Sequence, residues 1–362
     1  MWYDMGERKM MVLKIVVLAG GLSTERAVSL VTGVGVCRAL RENGHRAVLA
    51  DLYLGLEDVP EDLESLFDAP DGLCPEARID AAAPDLEAVR KSRRDQSARV
   101  FGPNVLELCQ LADVVFVGLH GQDGEDGRVQ AAFDLLGIPY TGSGYLAAGV
   151  SMSKAMTKRV MDAEGLPTPE WKLLQYKAED AHKLAAELSM PCVVKTPAGG
   201  SSLGVFLPED RKALKDALVK ALEFGPEVLI EKRIYGRELT VGVLGDKALP
   251  PLEVLPAGGE FDYAAKYQAG GAQEVLVEGI TEEQQKEMGE LALRLHRALG
   301  MEVYSRTDFI LDSDGKFWIL ELNSLPGMTP GSLVPKMAKA AGMSYNQLCE
   351  EIITQSLALK RR

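Results

Sequence analysis

The sequence predicts an α/β chain of more than one domain, and three observations point there. A strand, a helix and a second strand follow one another within about 40 residues near the start, which makes a βαβ unit. Further strand and helix units recur downstream of a glycine- and proline-rich break at 165–169 (GLPTP). The length of 362 residues, at roughly 150 residues per domain, allows two or three domains.

Taken in order, Lys14–Ala19 (KIVVLA) is a continuous apolar run bounded by Gly20-Gly21, as a buried strand requires. Val28, Val31, Val36 and Leu40 recur at helical spacing until Asn43-Gly44 stops them, and Ala47–Leu52 is the second strand. Residues 56–100 carry prolines at 60, 70, 75 and 84, many acids and the basic run Arg90–Arg94. They read as an irregular, solvated excursion with room for one helix. Ala112–Leu119 is another buried strand, ending in His120 and the loop GQDGEDG, which opens a helix from Val129 to Leu136. Tyr140–Gly144 then turns into a long helix through Lys154. A second unit has a strand at Cys192–Lys195, a glycine-serine loop at Ala198–Gly204, a helix near 209–223 and a strand at Val228–Lys232. A third begins near Gly236 with a hairpin around Gly245-Asp246. Thr281 to Leu299 is the clearest helix. Thr281 and Gln284 make a capping box, Met288, Leu291, Ala292, Leu295 and Leu299 form the buried stripe, and Gly300 ends it.

Composition narrows the function. Lys plus Arg is 40 and Asp plus Glu is 53, a net charge of −13. That balance opposes general nucleic-acid binding, which needs a basic surface, yet leaves room for a small anion held by a local cluster of donors. Hydrophobic residues at 46% and charged residues at 26% are ordinary globular values and exclude disordered or collagen-like chains. The longest apolar stretches are strand-sized, so no membrane span is expected, and no signal-peptide core precedes the first strand. Five scattered cysteines without a CxxC pair read as reduced thiols of a cytosolic protein, not as a disulfide frame or zinc site.

The most informative stretch is Val303–Asn323. Two strands flank Asp314-Gly315, which favours a two-residue type I′ hairpin. That turn opposes Ser313 to Lys316, hence Asp308 to Glu321 and Arg306 to Asn323, with all four side chains on one face. The other face would carry Val303, Phe309, Leu311, Trp318, Leu320 and Leu322 toward the core. Two opposed carboxylates repel each other unless a cation lies between them, and Asp, Glu and Asn oxygens are hard ligands that suit Mg²⁺ with phosphate. The alternative is a solvent-exposed charged face with Arg306 bridging the acids. The loop at Ala198–Gly204, after Lys195, could bring backbone N–H groups to phosphate, but it lacks the GxxxxGK[ST] order, and a surface turn explains it equally well. Glu231, Lys232 and Glu238 could meet an adenine and a ribose, or be ordinary charged strand ends. Gly20-Gly21 lacks the GxGxxG order, so nicotinamide binding is rejected there. Glu25 could receive an ammonium group, although Ser23, Thr24 and Glu25 also suit helix capping. His120 could be a general base or a hydrogen-bonded core residue. HExxH and cysteine-histidine signatures are absent, which disfavours the hydrolases that depend on them.

Together these segments closely resemble the D-alanine–D-alanine ligase family of the ATP-grasp superfamily. The motifs are GGLSTERAVS (20–29), LHGQDGEDG (119–127), PYTGSG (139–144), SMSK (151–154), VVK (193–195) and GGSSLGV (199–205). They continue with EVLIEK (227–232), GRELTV (236–241), FDYAAKY (261–267), SRTDF (305–309) and ELNSLPGMTPGSLVP (321–335), running in family order over almost the whole chain. The resemblance implies a three-domain ATP-grasp architecture: a Rossmann-like N-terminal substrate domain (1–147), a central subdomain (148–235) and a C-terminal subdomain (236–362), the last two enclosing ATP. It implies ligation of two D-alanines through a D-alanyl phosphate for peptidoglycan precursors, with ATP as co-substrate, two Mg²⁺ or Mn²⁺ ions, a cytoplasmic location and a homodimer. By motif, Asp308, Glu321 and Asn323 would hold metal. Lys154 and Lys195 would hold phosphates under the loop with Ser201 and Ser202. Glu231, Lys232, Ile234, Glu238 and Lys266 complete the ATP contacts. Glu25 and His120 would serve the first D-alanine, Ser332 and the Leu333 N–H the second one's carboxylate, and Arg306 with the Gly327 N–H the oxyanion. Tyr267 would lie in a covering loop and bond toward Glu25 and Ser201. Lys195-Thr196-Pro197 departs from the family, where proline usually follows the lysine directly. D-alanine–D-lactate ligases, biotin-carboxylase-like enzymes and a non-catalytic nucleotide-binding regulator are the competing readings. The first usually lack a tyrosine at the position of Tyr267, the second lack FDYAAKY, and the third has no need of Arg306.

Overall fold

The computed structural model describes residues 11–79, 84–199, 204–256 and 272–361. β1 (Lys14–Ala19), α1 (Arg26–Glu42) and β2 (Arg46–Asp51) form the expected βαβ unit, with the two strands parallel. α2 (Leu86–Ser92) and α3 (Val105–Leu111) precede β3 (Val114–Val117), which joins β1 to give a parallel sheet ordered β2-β1-β3. All three strands are apolar because helices and loops cover both faces. In the excursion, α2 is the only α-helix among the described residues, joined by a 3₁₀ turn at Leu63–Asp68. The basic run departs from the solvated expectation at one residue. Arg93 is fully buried, donates to the Arg99 carbonyl at 2.7 Å and to Asp95 at 2.9 Å, and stacks on Tyr53.

α4 (Arg128–Leu136) follows, and then the expected long helix proves to be two, α5 (Tyr145–Met152) and α6 (Lys154–Ala163). Ser153 between them leaves helical dihedrals and caps α6 by accepting from the Met156 N–H. That break places Lys154 at the first position of a helix. β4 (Trp171–Gln175), α7 (Ala181–Glu187), β5 (Cys192–Lys195), β6 (Val205–Phe206), α8 (Arg211–Ala221) and β7 (Glu227–Lys232) build a second, antiparallel sheet ordered β4-β7-β5-β6. Val194, Val228 and Ile230 pack there with Leu214 and Leu218 of α8.

The third sheet contains β8 (Gly236–Leu244), β9 (Lys247–Ala248), β10 (Leu252–Pro256), β11 (Ala272–Leu276), β12 (Tyr304–Asp312) and β13 (Phe317–Asn323). Its order is β11-β10-β8-β12-β13, with β9 on β8 through the two-residue Gly245-Asp246 turn. α9 (Glu282–Ala298) covers one face, with the Thr281–Gln284 capping box and the predicted stripe buried. α10 (Leu333–Ala340) and α11 (Tyr345–Ala358) return to the start of the chain, where α11 packs on α1 and shares its core with the parallel sheet. No helix among the described residues is long and apolar enough to cross a membrane.

Candidate active site

The hairpin of β12 and β13 sets the centre of the site. Arg306 opposes Asn323 and Asp308 opposes Glu321, as the sequence predicts, but by a different route. The turn is not the two-residue type I′ form. Gly315 donates to the Asp312 carbonyl at 3.1 Å and has φ +80, and the Asp312 N–H reaches the Lys316 carbonyl at 3.0 Å. That is a three-residue loop with a left-handed glycine, which Asp312 favours by accepting from the Asp314 and Lys316 N–H groups. The register slips by one, and an irregularity between Asp308 and Phe309 slips it back. Two offsets cancel at the site. They also change the core face: Phe317, Ile319 and Leu322 are buried, whereas Trp318 and Leu320 are only half-buried.

On the other side, β8 opposes Thr240 to Asp308, and Glu238 lies two residues before Thr240 on the same face. The Thr240 hydroxyl donates to Asp308 Oδ1 at 2.7 Å. Arg306 grips Asp308 with two parallel bonds of 2.9 Å, while Lys154 reaches Glu321 at 3.4 Å. The acids therefore do not face each other unscreened: Arg306 lies at Asp308 and Lys154 at Glu321. Among the described residues no three His, Cys, Asp or Glu side chains gather as a metal cage. Two carboxylates and the Asn323 amide oxygen are an incomplete set of hard oxygens, which fits a Mg²⁺-type ion whose remaining ligands come from phosphate and water.

Lys154 also connects this face to the glycine-serine loop. Its N–H donates to the Pro197 carbonyl at 2.8 Å and its ammonium to the Gly199 carbonyl. Lys195, at the end of β5, lies 3.2 Å from Glu231. Glu231 is buried and also takes Lys158 at 2.9 Å, whose ammonium bonds Thr168 at 2.7 Å. Burial pushes the Lys158 ammonium below its usual range, against the opposing pull of Glu231. The Glu231 carboxylate is thus turned to two lysines. Lys232 is exposed, Ile234 and Glu238 are half-buried, and Ser201, Ser202, Lys266 and Tyr267 lie outside the described residues.

Glu25 is the N-cap residue of α1, yet its side chain makes no capping bond. Its carboxylate packs against Gly121, where an added Cβ would lie 3.0 Å from Oε2. The Ser23 hydroxyl donates to the His120 carbonyl at 2.7 Å, so the GGLSTE turn and the HGQDGEDG loop are fastened together. His120 is buried with both nitrogens engaged, Nε2 with the Thr32 hydroxyl at 2.9 Å and Nδ1 with the Leu325 carbonyl at 3.2 Å. A carbonyl only accepts, so Nδ1 carries a proton there. Leu325 itself donates to Asn323 Oδ1 at 3.0 Å, which links His120 to the hairpin. In the following loop a Cβ on Gly327 would meet Ser332 Oγ at 2.9 Å, so a larger residue there would have to displace that hydroxyl. Ser332 is the N-cap of α10, but its hydroxyl turns back to the Thr329 N–H and hydroxyl.

Three site residues escaped the sequence reading. Lys158 stands four residues after Lys154 on α6, a same-face spacing that was available as a signal. Glu125, buried 3.6 Å from His120, sits inside the quoted loop motif. Thr240 becomes visible only when β8 pairs with β12.

Two family models match the chain, D-ala D-ala ligase N-terminus over residues 14–143 and D-ala D-ala ligase C-terminus over residues 160–354. The chain belongs to the D-alanine–D-alanine ligase family. Its relatives include the D-alanine–D-alanine ligase of Pediococcus pentosaceus, 40% identical over 94% of this chain and 97% of that protein. The Lacticaseibacillus casei ligase is 38% identical over 96% of each. The Bacillus anthracis D-alanine–D-alanine ligase, solved in complex with ATP, superposes with a TM-score of 0.70 at 30% identity, covering 96% of this chain and 98% of that one. The fold is the ATP-grasp fold of this ligase family, with a parallel N-terminal sheet and two antiparallel sheets.

Proposed function

We propose that the chain joins two D-alanines to D-alanyl-D-alanine with conversion of ATP to ADP and phosphate, through a D-alanyl phosphate, in the cytoplasmic synthesis of peptidoglycan precursors. The observation that carries this reading is the shared face of β8, β12 and β13, where Asp308, Glu321 and Asn323 converge beside Arg306 and Lys154. In it, residues 1–147 supply the first D-alanine's subsite, 148–235 and 236–362 close on ATP, and Asp308, Glu321 and Asn323 would hold two Mg²⁺ or Mn²⁺ ions. Ions bound there would offset charge on the phosphoryl group in transfer.

The residues divide the work by charge. A carboxylate is a poor electrophile, so the first D-alanine is phosphorylated before its partner attacks. Lys154 and Lys195 oppose the negative charge that builds on the phosphates, while Ser201, Ser202, Lys232, Ile234, Glu238 and Lys266 complete the ATP contacts. Glu231 contributes by fixing Lys195. Glu25 takes the ammonium of the first D-alanine, and His120 holds the wall of that subsite. The neutral amine of the second D-alanine, whose carboxylate lies on Ser332 and the Leu333 N–H, attacks the acyl carbon. Arg306 and the Gly327 N–H stabilise the oxyanion. Tyr267 belongs to a lid that keeps water from the acyl phosphate. A homodimer is part of the same reading. The exposed apolar residues Leu135, Leu136, Tyr145 and Leu146, on the touching helices α4 and α5, support it, and sedimentation equilibrium tests it.

Competition between equal D-alanine and D-lactate tests the acceptor. An amine must lose a proton to attack, so dipeptide formation should rise from about pH 6 toward about pH 8–9, as more of the second D-alanine becomes neutral. Ester product should stay negligible throughout. Substantial depsipeptide at the acid end would favour the D-lactate reading instead.

A further inference from the structure

Cys37 and Cys74 lie outside the ligase chemistry but on one shared feature. Their sulfurs sit 3.8 and 3.9 Å from a single atom, the Gly72 carbonyl oxygen, which the Leu49 N–H fixes at 2.8 Å. The shared acceptor makes the two thiols neighbours at one turn. Cys37 is buried on α1, whereas Cys74 is partly open to solvent. A Cβ on Gly72 would lie 3.0 Å from Cys37 Sγ, so a glycine is what lets the turn close onto the helix. The Arg41 guanidinium is held over the same turn, donating to the Ala47, Ala69 and Pro70 carbonyls at 2.8 to 3.2 Å. The neighbouring Cys37 thiol, with Arg38 and Arg41, draws the Cys74 thiol below its usual range against its partial burial and the Asp71 carboxylate, while the Cys74 thiol and burial hold Cys37 up. By contrast, burial pushes Cys109 and Cys349 up to about 12.

We propose that Cys37 and Cys74 form a peroxide-reactive pair that closes into a reversible intramolecular disulfide, tying α1 to the 69–74 turn. Cys74 attacks as the thiolate because it is the more accessible of the two and has Arg38 and Arg41 nearby. Its sulfur forms an S–O bond as the peroxide O–O bond breaks, leaving a sulfenic acid and a hydroxide that takes up the proton released by Cys74. Cys37 then attacks the sulfenic sulfur, the S–S bond forms, the S–O bond breaks, and the second water carries away the Cys37 proton. Two thiols and one hydrogen peroxide become one disulfide and two waters. A dithiol restores the pair by exchange.

The test treats the full chain with hydrogen peroxide, blocks remaining thiols after unfolding, digests without reductant and maps the peptides by mass. The expected result is a Cys37–Cys74 linked peptide, a loss of about 2 Da in the intact chain for two hydrogens removed, and reversal by dithiothreitol. Cys109, Cys192 and Cys349 should all remain alkylatable. Cys74→Ser, at a partly exposed position, should abolish the mass loss, and Cys37→Ser should leave a Cys74 sulfenic acid that dimedone traps. Sulfinic acid on Cys74 beside an alkylatable Cys37, unchanged thiols, or a persisting two-hydrogen loss in Cys74→Ser would each overturn the proposal.

Discussion

At the scale of single residues, partners decide what a substitution costs. Asp308 is gripped twice by Arg306 and once by Thr240. Asp308→Asn should therefore lower the stability of the ligand-free protein by about 1–3 kcal/mol, because a charge-assisted pair is lost. Glu321 has a side chain 37% exposed and a 3.4 Å contact to Lys154, so Glu321→Gln should change stability by no more than about 0.5 kcal/mol. Both should lose at least about 100-fold in turnover if these oxygens hold the metal. Thermal melts and ligation rates on the same two proteins check both halves, and near-normal turnover in either would refute the metal assignment. Lys158→Met should leave Glu231 to draw Lys195 away from phosphate, raising KM for ATP by on the order of tenfold, about 1.4 kcal/mol. Lys158→Arg should recover part of it, and equal rises in KM for ATP and D-alanine would indicate only a loosened fold. Glu25→Gln should act the other way round, raising KM for the first D-alanine more than that for ATP, since an amide loses the charge-assisted bond to an ammonium.

Elements show what could be read from sequence and what could not. α9 was legible almost to the residue because its stripe, capping box and terminal glycine are all local signals. β1, β5 and β7 were legible because continuous apolar runs of strand length have few other uses. The hairpin pairing of Asp308 with Glu321 was foreseen, yet the turn and the compensating irregularity were not, since dipeptide preference does not report where a strand bulges. α10 and α11 escaped because their apolar faces have meaning only against the parallel sheet and α1. His296 on α9 was missed for the same reason. Burial pushes its imidazole from 6.5 down to about 4, and its Nδ1 lies 2.7 Å from the Ser305 hydroxyl of β12. The folded pKa is depressed, so the unfolded chain binds the extra proton first. The stabilising contribution is complete above about pH 6.5 and is lost as the pH falls toward about 4, by up to about 3 kcal/mol. Urea midpoints across that range should fall steeply, and His296→Gln should flatten the fall; an unchanged slope would show that other groups cause it.

For the whole molecule, the distribution of the site matters more than any motif. Glu25 and His120 come from the parallel-sheet part, Lys195 and Glu231 from the second sheet, and Arg306, Asp308 and Glu321 from the third. The His120–Leu325–Asn323 chain and the Lys154 contacts to Gly199 and Glu321 are among the bonds that join these parts. Motif order in the sequence disclosed which pieces belong to one site; only the folded chain gives the contacts that bring them together. A site spread across three sheets suits a reaction whose acyl phosphate has to be enclosed while a second substrate enters. The central claim is that the carboxylate of one D-alanine takes the phosphoryl group before the other attacks. D-alanine labelled with ¹⁸O in its carboxylate, turned over with unlabelled ATP and Mg²⁺, tests it most directly. The account predicts D-alanyl-D-alanine and inorganic phosphate in equal amounts, with an ¹⁸O atom carried from the carboxylate into the phosphate. Dipeptide accompanied by label-free phosphate, or phosphate released without dipeptide, would contradict it.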